Sequence, residues 1–353
     1  MASDMRVPLA QLRQFLTVAM SRLGLPPADA ATVASLMAEA ELQGSDGHGV
    51  IRLLPYARRI RAGGINLHPR IKVVQERPGM ALLDGDNGMG HLVMKKAAEM
   101  AIEKARSCGI AWVGSRLSNH AGPASLYARM PMAHDMIGMY FAVGNANHLP
   151  PWGGLDMLLS TNPIAVAVPA GEEPPVVLDM ATTVAAYGKV KAKAQRGEQM
   201  PVGWMIDRLG QPLTDPRRAD EGFLMPIGGY KGYGLALIVG LLAGTLNGAA
   251  MGSGVIDFNK DDTSTTNTGQ AILAIDLSAF GDVAAFKARV DKLVRELRAS
   301  ERMPDVERIW LPGEQSNEKR AANEREGIAI GPVLLGQLDT FAQEMGIARL
   351  QDT

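Results

Sequence analysis

The sequence predicts an α/β protein, helical at both ends with a mixed α/β body between them. Residues 8–24 and 27–43 place apolar side chains at helical spacing. From Ile71 the character changes to short apolar runs alternating with amphipathic stretches. Helical periodicity returns over residues 282–300 and 332–346, so the end of the chain is expected to pack back on its beginning. The expected division is a helical domain from residues 1–70 and 282–353, with a mixed α/β domain over 71–281.

In chain order, the first two helices are separated by Gly24 and Pro26-Pro27, and the second ends at Gly44. A third helix runs from about Gly49 to Arg61 and closes at Gly63-Gly64, with Pro55 inside it imposing a kink or a short first turn. IKVVQERPGMALLDGD, from Ile71, reads as two strands around a turn. Leu92 to Ser107 reads as an amphipathic helix and IAWVGSR, from Ile110, as a strand. Further strands are expected in IGMYFAVGN, NPIAVAVP, PPVVLDMA and GQAILAIDL, and further helices near Ala124–His134, Thr183–Arg196 and Gly232–Leu246. WLPGEQSNEKR, residues 310–320, reads by composition as a loop.

At 353 residues and 46% apolar content the chain can bury a large core. The net charge is -1 with both signs dispersed, and no basic run exists that would neutralise a phosphate backbone, so nucleic acid is not an expected partner. The single cysteine, Cys108, has no partner for an internal disulfide or a cysteine metal cluster; it fits a reducing compartment and is expected as core filler. The N-terminus lacks a secretory pattern, which gives a cytoplasmic expectation. The apolar stretch Leu235–Leu246 is too short to span a bilayer, so no membrane association is expected.

One motif misleads. MALLDGD, NGMGHLV, a helix and a second strand imitate a nucleotide-binding β-α-β unit. The spacing Gly88-x-Gly90-x-x-Val93 lacks the third small residue, and the next strand ends in Ser115-Arg116 without an acid for a ribose. A glycine turn between strand and helix is the preferred reading.

The chemistry concentrates elsewhere. In GSDGHGVIRLLPY, His48 stands at a helix entry, Arg52 follows four residues on, and Tyr56 four more along the same face. Arg52 can take a carboxylate in a two-pronged hydrogen bond, the free N–H groups at the helix start favour the same anion, and His48 is left to move a proton. Tyr56 is expected beside the substrate. SRLSNHAGPASLYA sets Asn119-His120 before a glycine and a helix start, where backbone N–H groups can receive phosphate and His120 can face a nicotinamide ring or substrate. Thr161-Asn162-Pro163 offers a hydroxyl and an amide at the entry to a buried strand. Asp179 ends an apolar strand, where it either caps the next helix or orients a cofactor hydroxyl. PIGGYKGYGLAL carries Tyr230 and Lys231 in a glycine-rich turn suited to an anion, although it is not a P-loop. His148, in NANHLPPWGG, is a further candidate for substrate specificity. No HxH or HExxH spacing supports a metal, and none is expected; a hydrolase using His48, His120 and Asp46 as ligands is the weaker alternative.

Together these stretches resemble the malate/L-lactate dehydrogenase-like family of NAD(P)-dependent oxidoreductases, which is distinct from the Rossmann-fold lactate and malate dehydrogenases. The resemblance runs through Gly44–Asn66, Asn119-His120, Pro151–Pro163, Asp179-Met180, Pro201–Asp207, Gly228–Gly234, Asn267–Gln270 and Leu311–Glu314. It implies a non-Rossmann mixed-sheet cofactor domain, a helical domain from both termini, and a homodimer with sites near the subunit interface. It also implies NAD or NADP as cofactor, a small carboxylic acid as substrate, His48 as proton donor and Arg52 as carboxylate ligand, with His120 beside them. Thr161 would touch substrate. Cofactor contacts would fall on His120, Ala121, Gly122, Pro123 and Ala124, on Leu178, Asp179 and Met180, and on Tyr230 and Lys231. The last segment would be Leu311, Pro312, Gly313, Glu314, Gln315, Ser316 and Asn317.

Family members usually carry Ser-His-Gly where this chain has Gly47-His48-Gly49. The cyclic-imine reductase branch uses that serine in a Ser-His-Asp relay, and the region of its acid reads KAKAQRGEQMP here. The expectation is therefore a 2-oxo or 2-hydroxy acid dehydrogenase, with an imino-acid reductase or a non-catalytic ligand-binding relative as alternatives. Lactate, malate, sulfolactate, ureidoglycolate and diketogulonate all remain open as substrates.

Overall fold

The computed structural model describes residues 4–353, and in it the two ends of the chain meet. Strand β1 (Met5–Val7) pairs antiparallel with β11 (Ile328–Ile330), Val7 opposite Ile328. Helices α1 (Leu9–Arg22), α2 (Pro27–Leu42) and α10 (Pro332–Met345) share one core, built from Leu12, Phe15 and Leu16, from Val33 and Met37, and from Leu338 and Phe341. Helix α2 starts on Pro27, whose fixed φ suits a first helical position. It ends at Gly44, in the left-handed region at φ 73°, while the Ser45 N–H returns to the Ala40 carbonyl in a Schellman closure. The chain then crosses residues 44–49 and enters a 3₁₀ turn, Val50–Arg52, which leads directly into α3 (Leu53–Arg61). Pro55 sits in the first turn of α3, where its missing N–H is harmless, and this is how the expected single helix from Gly49 is divided. Gly63-Gly64 close α3 as expected, with the Gly64 N–H on the Arg59 carbonyl.

The body is a seven-stranded sheet: β2 (Lys72–Arg77), β3 (Met80–Gly88), β4 (Ile110–Ser118), β10 (Gln270–Asp276), β5 (Met136–Ala142), β6 (Ile164–Val168) and β7 (Val176–Met180), in that spatial order. Only β3 and β4 run parallel, joined by the crossover helix α4 (Gly90–Cys108); every other pairing is antiparallel. A β-α-β unit therefore exists, but its turn is full. The Asn119 amide donates to the carbonyls of Asn87 and Gly88, and a Cβ on Gly90 would overlap the Asn119 carbonyl. The glycines form the turn between strand and helix that the sequence reading preferred, and close packing there excludes a Cβ.

Helix α4 and the short α5 (Ser125–Ala128) cover one face of the sheet, and α7 (Tyr230–Ala243) covers the other against Phe141 and Val143. The helix expected near Ala124–His134 is thus one α-turn followed by a 3₁₀ segment, Met130–His134, because Pro131 interrupts the α pattern. Residues expected to be helical from Thr183 become so only at Tyr187, in α6 (Tyr187–Arg196). That helix packs with β8 (Met205–Asp207) and β9 (Gly222–Leu224) around Val190, Met205 and Leu224. The helix expected over Gly232–Leu246 starts two residues early and ends in a separate turn, Thr245–Asn247. Helix α8 (Val283–Arg298) is bolted to the β6–β7 turn by Asp291, which accepts the N–H groups of Gly171, Glu172 and Glu173.

Two expectations are corrected. Residues 314–320 are not loop but the start of helix α9 (Glu314–Glu326). Cys108, expected in the core, ends α4 exposed to solvent. Among the described residues no helix is long and apolar enough to cross a membrane.

Candidate active site

Loop 44–49 delivers His48 to the sheet domain, where it meets His120 at the end of β4. The imidazoles stack with centroids 5.3 Å apart, and His48 Nδ1 lies 3.2 Å from His120 Nε2. On its other side His120 Nδ1 receives the Tyr56 hydroxyl at 2.6 Å and, more distantly, the Gly122 N–H at 3.4 Å. Two donors at Nδ1 make it the acceptor, so a neutral His120 carries its proton on Nε2 and donates to His48 Nδ1. Neutral His48 then carries its own proton on Nε2. The tautomers of this three-residue chain follow from the hydrogen bonds it makes.

Charge and burial act together on the two histidines and against each other on Tyr56. Desolvation, with a smaller push from the Arg52 guanidinium, takes His48 down to about 4. His120 is held well below its ordinary value by desolvation and then by Arg52. Burial raises the Tyr56 hydroxyl above the usual phenol range, so its proton stays on oxygen. Tyr56, expected beside the substrate, is fully buried with its hydroxyl spent on His120. Arg52 anchors through Nε on the Gly47 carbonyl at 2.8 Å, a bond that leaves its two terminal nitrogens for another partner.

The back of the site is an aromatic and polar clamp that the sequence reading missed. Phe258 lies 6.1 Å from the His120 ring and 6.4 Å from Tyr56. Arg59, fully buried one turn beyond Tyr56, stacks on Phe258 at 4.5 Å and donates to the carbonyls of Asp261, Gly64 and Ser264 and to the Thr266 hydroxyl. Thr266 passes the connection to Asn119, next to His120. His91, in the first turn of α4, is also completely buried, edge-on to Tyr56, with neither ring nitrogen bonded, and desolvation pushes it down to about 3. The only sequence signal for it was a histidine inside a glycine turn.

The structure brings three of the expected cofactor segments together. Asp179 accepts the Ser125 N–H at 3.0 Å, so it caps α5 rather than the helix that follows it, and its side of the sheet end is exposed. The Val177 N–H bonds to the Pro312 carbonyl, and Gly313, at φ 90°, packs on Val177 where a Cβ would crowd its backbone. Arg129, just past the end of α5, donates to the Asn317 side-chain Oδ1, leaving the buried Asn317 amide nitrogen Nδ2 unpaired. Glu314 is committed elsewhere: its carboxylate takes Arg298, Arg308 and the Leu311 N–H. Ser316 bonds to the Gln43 carbonyl at the end of α2.

The remaining candidates form a second wall. Thr161 accepts through its carbonyl from Thr182, which in turn accepts the Ile227 N–H, so the segment leading to Tyr230-Lys231 is linked to Thr161 through Thr182. Tyr230 is exposed, and Gly229 before it packs on the Trp152 ring. His148 stacks on Tyr187 at 4.2 Å and is taken down to about 4 by burial. The Phe258 N–H on the Asn145 carbonyl joins this wall to the histidine pair. Among the described residues no group of three His, Cys, Asp or Glu side chains is placed to hold a metal.

A mixed-sheet fold that leaves the β-α-β turn closed, with paired histidines near an arginine whose terminal nitrogens are uncommitted, defines a class of dehydrogenase-like proteins outside the Rossmann group. The chain belongs to the malate/L-lactate dehydrogenase family, whose profile matches residues 7–339. It is 39% identical to a malate dehydrogenase of Pyrococcus abyssi over 98% of this chain and 96% of that protein. It is 37% identical to an L-sulfolactate dehydrogenase of Methanocaldococcus jannaschii, over 93% and 94%. The solved malate dehydrogenase of Pyrococcus horikoshii OT3 superimposes with a TM-score of 0.89 at 35% identity, covering 98% of this chain and 97% of that one. The protein is thus an oxidoreductase of this family.

Proposed function

We propose that the protein moves a hydride between NAD(P)H and C2 of a small 2-oxo or 2-hydroxy carboxylic acid of the malate or lactate type. One observation carries the reading: Arg52, tied by Nε to the Gly47 carbonyl with its two terminal nitrogens uncommitted, stands four residues from a His48 whose tautomer is set by His120 and Tyr56. Arg52 takes the carboxylate in a bidentate bond, which fixes C2 relative to His48. In reduction His48, protonated on both ring nitrogens, gives its Nε2 proton to the carbonyl oxygen; in oxidation neutral His48, with Nε2 free and its remaining proton on Nδ1 toward His120, takes the proton from the hydroxyl. Tyr56 and His120 act by holding the ring through Nδ1, their hydrogen bonds reversing direction as the proton moves, and Thr161 and His148 contribute to the substrate side.

The residues present fit a dinucleotide. The exposed Asp179 suits ribose hydroxyls, Gly122 and Gly313 let backbone approach closely, and the unpaired Asn317 amide offers a donor. His120–Ala124, Leu178–Met180, Tyr230-Lys231 and Leu311–Asn317 would hold it. When bound, the nicotinamide supplies or accepts the hydride. We further propose a cytoplasmic homodimer: the lone cysteine suits a reducing compartment, and α7 presents exposed Tyr230, Ile238 and Leu241 on a face suited to a second copy.

The test is absorbance of NADH or NADPH, assayed separately, against a panel of 2-oxo acids and cyclic imino acids. Turnover of a 2-oxo acid supports the reading, turnover of imines alone moves the protein to the reductase branch, and cofactor binding without turnover of anything defeats catalysis altogether. A Cβ at Gly47 meets open space, so Gly47→Ser is expected to fold normally, with stability within about 0.5 kcal/mol of the wild type. It should also lower kcat/KM for bulkier acids relative to pyruvate-sized ones. An unchanged preference profile would show that the space at residue 47 is not part of the substrate pocket.

A further inference from the structure

Glu41 is a carboxylate on the wrong side of its helix. It shares the buried face of α2 with Ala34, Met37 and Ala38, at the three- and four-residue spacing that points inward, and it is 4% exposed. Its Oε1 accepts the Val50 N–H at 2.7 Å, the donor that opens the 3₁₀ turn Val50–Arg52. The preceding residue is glycine because a Cβ at Gly49 would overlap that carboxyl. His48 and Arg52 flank this bonded peptide, one on each side. Besides the His48–His120 contact, loop 44–49 is tied by short-range bonds, Ser45 to Ala40 and His48 to Ser45 through the backbone, and Arg52 to the Gly47 carbonyl. Glu41 is therefore the point at which α2, itself capped by Ser316 and Asn323 of α9, fixes where the turn begins.

We propose that Glu41 is a positioning residue for the reaction: through the Val50 N–H it sets the turn that holds His48 and Arg52 in register with the substrate. The proposal rests on the substrate reading above. The titratable and charged groups near it are Asp46 and the neutral His48 on the loop, Arg52 on the turn, and Lys319 of α9, whose side chain lies against Gly44. Burial raises Glu41 to about 8, Asp46 adds to the rise, and the Val50 bond opposes it. The carboxyl is neutral below that pH. Above it the carboxylate is the stronger acceptor, so the turn tightens as pH rises.

Glu41→Gln keeps the size and one acceptor oxygen but cannot ionise. The ratio of the variant's KM to the wild type's is expected near 1 at about pH 6.5 and about five-fold higher at about pH 9.5, reflecting loss of the charge-assisted bond. Cofactor affinity, read by fluorescence of bound reduced nicotinamide, should not move. A KM ratio constant with pH overturns the proposal, since lost packing alone does not titrate. In the wild-type protein without substrate, the Val50 amide resonance should shift with a midpoint near 8. A resonance fixed across that range overturns it as well. The second readout needs neither a folded variant nor turnover, so failure of the substrate reading and failure of this proposal are separable.

Discussion

Replacing His48 with alanine is expected to lower kcat for 2-oxo acid reduction about 10²- to 10⁴-fold, the range of a positioned general acid–base group. Cofactor affinity should stay within about two-fold, because the loss belongs to the transition state and not to ground-state binding. The reason is geometric: Tyr56 and His120 engage His48 through its Nδ1, so Nε2 is the nitrogen left to exchange the proton with the substrate. Tyr56→Phe removes the first donor and leaves the Gly122 N–H, at 3.4 Å, as the remaining partner of that nitrogen. Its expected effect is smaller, about ten-fold in kcat, since the proton donor is present but its ring is no longer held firmly through the His120 contact. A His48→Ala enzyme keeping more than a tenth of wild-type kcat would remove His48 from the chemistry.

The same geometry fixes a pH dependence. Oxidation of the hydroxy acid needs neutral His48 in the free enzyme, and desolvation and Arg52 lower that group to about 4. kcat/KM for oxidation is therefore expected to stay level from neutral pH down to about 5 and to fall only below that, whereas an unperturbed imidazole would bring the break near 6.5. The stability sign follows from the same shift. A histidine whose folded value is depressed binds its proton more readily unfolded, so its contribution is complete above 6.5 and declines as pH falls from there toward 4. Once a carboxylate sits on Arg52, one of the two causes of the depression is neutralised, and His48 in the complex should hold its proton at higher pH than in the free enzyme.

The readable parts of the sequence were those governed by local rules. The glycine closures at Gly44 and Gly63-Gly64 are short-range, and the structure bears them out as geometry. Helix α9 was invisible for a physical reason. EQSNEKRAANERE has no apolar face, and what holds it is side-chain bonding: Ser316 and Asn323 to the end of α2, and Arg320 to Glu39 and Glu324. Phe258, Arg59 and His91 were missed because they reach the histidine pair only through long-range packing. Glu41 did leave a trace, as a charge in the buried register of an alanine-rich helix, and such a residue merits the question of what it bonds to.

Arg59 should be the costliest single substitution in the fold. Its guanidinium is fully buried, and desolvation lowers its pKa against the opposing pull of Asp262 and Asp261. It nevertheless satisfies three backbone carbonyls and the Thr266 hydroxyl while stacking on Phe258. Arg59→Met preserves much of the aliphatic volume but leaves the three carbonyls and the Thr266 hydroxyl without their donor. The expected loss is about 3–5 kcal/mol in urea unfolding, since each buried acceptor left unsatisfied costs about 1–3 kcal/mol and several share this one donor. Activity should fall further than stability alone requires in whatever fraction stays folded, because the released 257–266 segment no longer presses Phe258 against Tyr56 and His120. Asn119 would lose the Thr266 anchor at the same time, loosening the residue next to His120. An Arg59→Met protein destabilised by less than about 1 kcal/mol would mean that the segment finds other donors or water, and that the clamp does not hold the aromatic wall of the site.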